Sequence, residues 1–155
     1  MWDTSIQDRL AIWFAFRQRL DQLSFEKAIH EVNTFWTSAP ISNQYYSIDL
    51  PDQWPNPWDL LVENHYDNIA IGLGMLYTIG LMQGNPKVEF KCARSNEKSC
   101  DRALVWVQDG KYVLNWDLSV RVNTQLELQS YNIIRTIDAQ DLINNGNSST
   151  KAGWK

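Results

Sequence analysis

The chain has 155 residues, with 14 Lys and Arg against 18 Asp and Glu. One domain accommodates that length and buries roughly 70% of the surface its unfolded chain exposes, so neither disulfides nor a metal is needed for folding. A net charge of −4 with scattered basic residues argues against the clustered Lys and Arg with which a nucleic-acid binder displaces counterions. No run approaches the about 18 uninterrupted apolar residues of a membrane span.

Eight tryptophans stand out. Each ring supplies a large buried area, and Trp is also enriched at the centres of protein interfaces. The surplus raises the expectation of an assembly partner. The opening Met1-Trp2-Asp3-Thr4 lacks the basic stretch of a secretory signal. Folding in a reducing cytoplasm is therefore expected, and the Asn147-Ser148-Ser149 sequon carries no expectation of glycosylation.

In chain order, Thr4 with Gln7 three residues on has the spacing of a capping box. Ile6, Leu10, Trp13, Phe14 and Leu20 then recur at helical spacing. Arg9, Arg17 and Arg19 on the same segment read as a solvated face. A second helix is expected after Ser24, with Ile29, Val32, Phe35 and Trp36 as its apolar face and Pro40 ending it. The two make a helical hairpin. Residues 41–58, rich in aromatics and stiffened by Pro51, Pro55 and Pro57, read as an ordered loop, because flexible linkers are poor in aromatics.

A third helix is expected from about Asp67 to Leu81. Ile69, Leu73, Leu76 and Ile79 share one face, while Ala70, Gly72, Gly74 and Gly80 leave another side slim. Each mid-helix Gly costs about 1 kcal/mol relative to Ala, so another backbone is expected to come close, and this is the buried central helix. From Lys87 the period falls to two. Val88–Phe90 and the continuous apolar run Ala103–Val107 read as strands. Asp109-Gly110 marks a two-residue type I′ turn, and Lys111–Asp117 is the returning strand. Val120–Val122 and Tyr131–Thr136 carry further β signal, and a short helix is expected at Ala139–Ile143. Helices first and an antiparallel sheet afterwards make an α+β domain over residues 1–143, with 144–155 a polar, flexible tail.

No complete chemical constellation emerges. Gly72, Gly74 and Gly80 sit inside a helix rather than after a strand, unlike a phosphate-binding loop. His65 with Glu63 and Asp67 is the sole local cluster that approaches a metal site, which needs three or four ligands, and capping of the third helix accounts for it. Cys92 and Cys100 flank the charged segment Ala93–Lys98, read as a hairpin loop. They make at most one bridge, and neither stands at a helix N-terminus, where the dipole lowers a thiol pKa.

Tyr66-Asp67-Asn68-Ile69-Ala70-Ile71-Gly72-Leu73-Gly74 and the hairpin Arg102–Val107, Asp109-Gly110, Tyr112–Asn115 resemble the core of the transglutaminase-like, papain-related cysteine enzymes. They resemble especially the bacterial transglutaminase-like cysteine peptidases. That family sets a nucleophilic Cys at the start of a buried helix, a His on one strand of a hairpin and an Asp or Asn on the next. The likeness puts Asp67 at the nucleophile position, Arg102 at the base position (Leu104 if the strand slips by two) and Asn115 at the orienting position. An aspartate does not replace a thiolate in acyl transfer, and an arginine stays protonated and cannot act as a base. The resemblance therefore implies the fold with its active site lost.

Four segments, Trp2–Arg9, Phe35–Pro40, Trp54–Trp58 and Leu73–Ile79, are similar to small virion-associated proteins of tailed phages, many of which resemble intact or degenerate transglutaminase-like domains. That likeness implies a particle component of the tail or baseplate region, made in the host cytoplasm, with other virion proteins as partners. The leading expectation is a non-catalytic assembly module without cofactor, metal or small-molecule substrate, docking through Trp2, Trp54, Trp58 and Trp154. Loop-to-core packing is the alternative for Trp54 and Trp58. The rival is a cysteine-dependent hydrolase or acyl-transfer enzyme using Cys92 or Cys100 with His30 or His65. A weaker third reading is a regulatory pocket where Asp67, Arg102 and Asn115 converge, with an Asp67–Arg102 ion pair as a structural lock.

Overall fold

Helix α1 (Ile6–Leu20) starts one residue later than the capping-box spacing suggests: the cap is Ser5, whose hydroxyl accepts from Asp8 N. Thr4 instead turns its hydroxyl to Met1 O. Ser24 caps α2 (Phe25–Thr37) in the same way through Lys27 N. These and the elements below are described in a computed structural model covering residues 1–96, 101–117, 119–122 and 127–148. Short side-chain oxygens at both starts satisfy amides that a helix leaves without partners.

The expected apolar face of α1 is only partly right. Trp13, Phe16 and Leu20 are buried, but Phe14 is 53% exposed. Arg9, expected in solvent, is buried: its Nε donates to Leu61 O at 2.9 Å and its Nη1 to Thr4 O. Arg17 is half-buried, its guanidinium carbon 4.4 Å from the Trp13 ring centroid. An aliphatic stem with a planar, weakly hydrated head buries well once its donors reach carbonyls or it lies on an aromatic face.

The segment read as a loop contains a single 3-10 turn (Pro51–Gln53) and a further helix, α3 (Pro57–Glu63). Asn56 caps it by accepting from Trp58 N and Asp59 N at 3.0 and 2.8 Å, and Pro57 stands in the first turn, where its missing N–H costs nothing. Asn64 closes it at φ 57°.

Helix α4 (Asn68–Gly80) is the buried centre: every residue from Ile69 to Gly80 is buried. Its slim side meets three different neighbours. A methyl on Gly72 would lie 2.8 Å from Asn115 Nδ2 and 3.2 Å from Ala103 O, so there the sheet backbone does come close. At Gly74 the neighbour is a side chain rather than a backbone, with the Trp36 indole 2.5 Å from such a methyl. Gly80 faces Ile143 and Ala139 of the last helix. Gly74→Ala gains about 1 kcal/mol in helix propensity but overpacks a rigid ring in a core. A net loss of about 1–3 kcal/mol is expected, read as a lower urea midpoint at unchanged m-value.

Strands β1 (Val88–Ser95), β2 (Asp101–Val107), β3 (Tyr112–Leu114) and β4 (Tyr131–Asp138) form one antiparallel sheet in the order β3-β2-β1-β4. The β1–β4 register shifts between Cys92 and Ala93. β1 runs through Ser95 where a loop was expected from Ala93, β3 is shorter than expected, and Val120–Val122 contributes one bridge, Arg121 to Val113. The β2–β3 turn is centred one residue earlier than expected. Gln108 and Asp109 both take positive φ, with Gly110 N donating to Val107 O. Five α-helices and a four-stranded antiparallel sheet, among the described residues, make the α+β architecture.

Helix α5 (Ala139–Ser148) runs five residues past the expected end. Once Ala139 and Ile143 are buried, each added residue gains a backbone bond without a new nucleus. Residues 149–155 of the expected tail, Trp154 among them, lie outside the described residues.

Candidate functional site

The three positions singled out by sequence gather only in part around the start of α4. Asp67, 1% exposed, caps the helix: Oδ1 accepts from Ala70 N at 2.8 Å. Its Oδ2 accepts from Tyr45 N and Tyr46 N at 2.8 and 2.7 Å. One carboxylate therefore holds three backbone amides, at the positive end of the helix dipole. It ties the loop before α3 to the central helix. Tyr46 reinforces this, its hydroxyl donating to Glu63; burial first, then that carboxylate, raise the phenol's pKa.

Asn115 follows β3 with φ 64°, a left-handed conformation that Asn tolerates. From there Nδ2 donates to Asn68 O and Ala103 O at 2.9 and 2.7 Å. It bridges α4 to β2 across the gap that Gly72 leaves open.

Arg102 does not join them in a lock. No ion pair connects Asp67 and Arg102 among the described residues. The guanidinium donates instead to Trp116 O and to Tyr131 Oη, and lies 5.4 Å from the Trp116 ring centroid. The reason is strand alternation. Ala103 faces the core beside α4, whereas Leu104 packs in a second small cluster with Ala93, Val113 and Trp116 on the opposite face of the sheet. Arg102 and Leu104 share that opposite face, so neither reading of the base position meets the helix start.

What remains is a cleft of about 410 Å³ whose lining includes Ile41, Ile71, Arg102, Asn115 and Trp116. A neighbouring hollow of about 350 Å³ lies against Tyr46, Ile48, Ile69 and Ala103, and Asn68 and Asp101 border both. Three of the polar groups beside the clefts are engaged. Asp101 pairs with Arg94 at 3.0 Å, Asp117 with Arg121 at 2.7 Å, and both Asn115 donors are used.

Cys92 is poorly placed for the cysteine chemistry. Cys92 is buried and free in β1, and desolvation raises its pKa to about 11. At neutral pH a thiol of that pKa is ionised about one part in 10⁴. His30 is exposed on α2, and His65, also exposed, stacks on Tyr45 with centroids 4.6 Å apart. Cys100 lies outside the described residues. Among the described residues no three His, Cys, Asp or Glu side chains are grouped to hold a metal, and no helix is long and apolar enough to cross a membrane.

The candidate interface tryptophans divide. Trp54 belongs to the core: it is 8% exposed, donates to Ser47 O at 2.7 Å and meets Phe90 edge-on. Trp2 is half-buried among Phe35, Trp36 and Tyr66 and donates to Ser38 Oγ at 3.2 Å, which fastens the N-terminus onto α2. Trp58 is half-buried at the start of α3, edge-on to Trp13. It therefore keeps an accessible surface that Trp54 lacks.

Two groups escaped the sequence reading. The Thr78 hydroxyl accepts from the indoles of Trp13 and Trp36 at 3.0 and 2.9 Å while donating to Gly74 O at 2.6 Å. A threonine inside a largely apolar helix, with Trp on two other helices, is the signal that was available. The other is Arg17, whose spacing of four from Trp13 was visible. No protein-family model matches this chain, and no curated protein matches it.

Proposed function

We propose that this chain is a non-catalytic assembly module of a tailed-phage particle, in the tail or baseplate region, built on a degenerate transglutaminase-like core. The observation that carries the proposal is the state of Asp67. The position at which the related enzymes present a thiol holds a carboxylate whose two oxygens accept three backbone N–H bonds. It is a structural cap, with nothing left to attack an acyl group. Asn115 likewise spends both donors on carbonyls, and Arg102 donates to Trp116 O and Tyr131 Oη rather than to Asp67. The packing of α4 on the antiparallel sheet supports the core assignment. The half-buried aromatics at the surface of α1 and α3 support docking, since Trp and Arg are the residues that most often dominate interfaces.

Size-exclusion chromatography with light scattering tests this on the purified chain, alone and mixed with dissociated tail and baseplate components. The expected result is a chain that enters a defined complex of fixed stoichiometry. A chain that joins no component, and that a thiolate-selective reagent labels stoichiometrically at neutral pH, overturns the proposal in favour of cysteine chemistry.

A further inference from the structure

Arg17 has neither a hydrogen bond nor an ion pair among the described residues. Helix geometry puts it one turn above Trp13 and three residues beyond Phe14. Its carbon lies 4.4 Å from the Trp13 centroid, 5.7 Å from that of Phe14 and 5.9 Å from that of Trp58. The head lies among these three rings in a half-buried residue. Its Nε is buried without a hydrogen-bond partner. Asp21, one turn further on, acts on it through space rather than by contact, and burial lowers its pKa without neutralising it.

The residues around this head are of the aromatic and arginine types enriched at interface centres. Phe14 is 53% exposed, and Trp58 is half-buried beside it. The other two arginines of α1 are occupied: Arg9 by carbonyls and Arg19 by Glu31 at 3.5 Å. Arg17 has no such partner among the described residues. An ordered, partly desolvated guanidinium pairs best with a planar carboxylate, which takes two parallel N–H bonds from the same edge. Phosphate offers the same fork, but a chain of net charge −4 repels the polyanions that carry phosphate densely.

We infer that the outer face of α1 and the start of α3, centred on Phe14, Arg17 and Trp58, docks a segment of another protein that presents an aspartate or glutamate next to an apolar side chain. The carboxylate lies in the fork of Arg17, and the apolar neighbour covers Phe14 and Trp58. This rests on the assembly reading and gives it a surface and a partner chemistry.

The test uses the full chain, isotope-labelled, and two synthetic probes: acetyl-Leu-Glu-Phe-amide and its isostere acetyl-Leu-Gln-Phe-amide. The Arg17 Nε–H and the Trp58 indole N–H are followed by NMR during titration. The glutamate peptide is expected to shift both resonances and to bind at least about tenfold more tightly than the glutamine peptide, as expected for a charge-assisted pair. Arg17→Gln is expected to abolish that preference. Arg17→Lys, which keeps the charge but loses the fork, is expected to retain only part of it. Thermal melting of both variants establishes that they are folded. Equal binding of the two peptides, shifts located elsewhere, or no shift at millimolar peptide overturns the inference.

Light scattering of the chain alone separates the remaining occupant. A dimer that Arg17→Gln and Phe14→Ala both dissociate makes a second copy the partner and overturns the assignment to another protein. A particle component that binds wild type and Arg17→Gln equally well removes this surface and leaves the assembly reading standing. Failure of every component to bind, with the peptide preference intact, does the reverse.

Discussion

Thr78→Val is expected to destabilise the fold by about 2–5 kcal/mol, although the two side chains have nearly the same shape. The hydroxyl at the middle of α4 is the acceptor for both Trp13 and Trp36, on two other helices. Valine leaves two fully buried indole N–H groups without partners, and an orphaned buried donor costs about 1–3 kcal/mol. For a domain of this size that is a fall of roughly 5–15 °C in melting temperature. Thr78→Ser keeps the acceptor and loses one methyl, so it is expected to cost only about 1 kcal/mol. Differential scanning calorimetry on the pair separates hydrogen bonding from volume. A Thr78→Val shift no larger than that of Thr78→Ser would remove the hydroxyl's role.

Asp67→Ala carries the second large effect, about 2–4 kcal/mol. Two of its three amide donors, Tyr46 N and Ala70 N, are buried, and the third, Tyr45 N, is partly so. Loss of a helix cap alone costs about 1 kcal/mol, and the two loop amides add to it. Asp67→Asn keeps one acceptor oxygen and is expected to fall between wild type and Asp67→Ala in chemical denaturation. Because Arg102 bonds to Trp116 O and Tyr131 rather than to Asp67, the effects of Asp67→Ala and Arg102→Ala are expected to add within about 0.5 kcal/mol. A coupling energy well above that restores the lock that the geometry denies.

How much of this the sequence showed depends on the kind of signal. Helices α1, α2 and α4 were legible because apolar spacing and short polar caps agree, and α4 stood out as central from its glycines. What the glycines faced was not legible. Gly72 admits the sheet and Gly74 admits an indole, and periodicity says nothing about which neighbour fills a gap. Helix α3 was missed because three prolines in seven residues read as loop. Asn56 before Pro57, a cap followed by a proline in the first turn, was the stronger local signal. Arg9 and Arg17 were misread because charge was taken for exposure, whereas a long side chain buries its stem wherever carbonyls or rings receive its head.

At the candidate site, Asp67 and Asn115 were found by pattern and are where the helix start needs them. Arg102 was not, because a strand alternates its faces and a residue offset of one reverses which side it serves. Among the candidate interface residues, Trp54 went to the core and Trp58 stayed accessible. Both lie in the same proline-stiffened segment, and only the placement of α3 distinguishes them.

On the proposed function, the chain works by being built into a particle. Quantitative mass spectrometry of gradient-purified, salt-washed particles from cells producing the chain tests it most directly. A constant, stoichiometric amount of the chain relative to the tail and baseplate components is expected. A chain found only in the soluble fraction, and absent from intact particles, contradicts it.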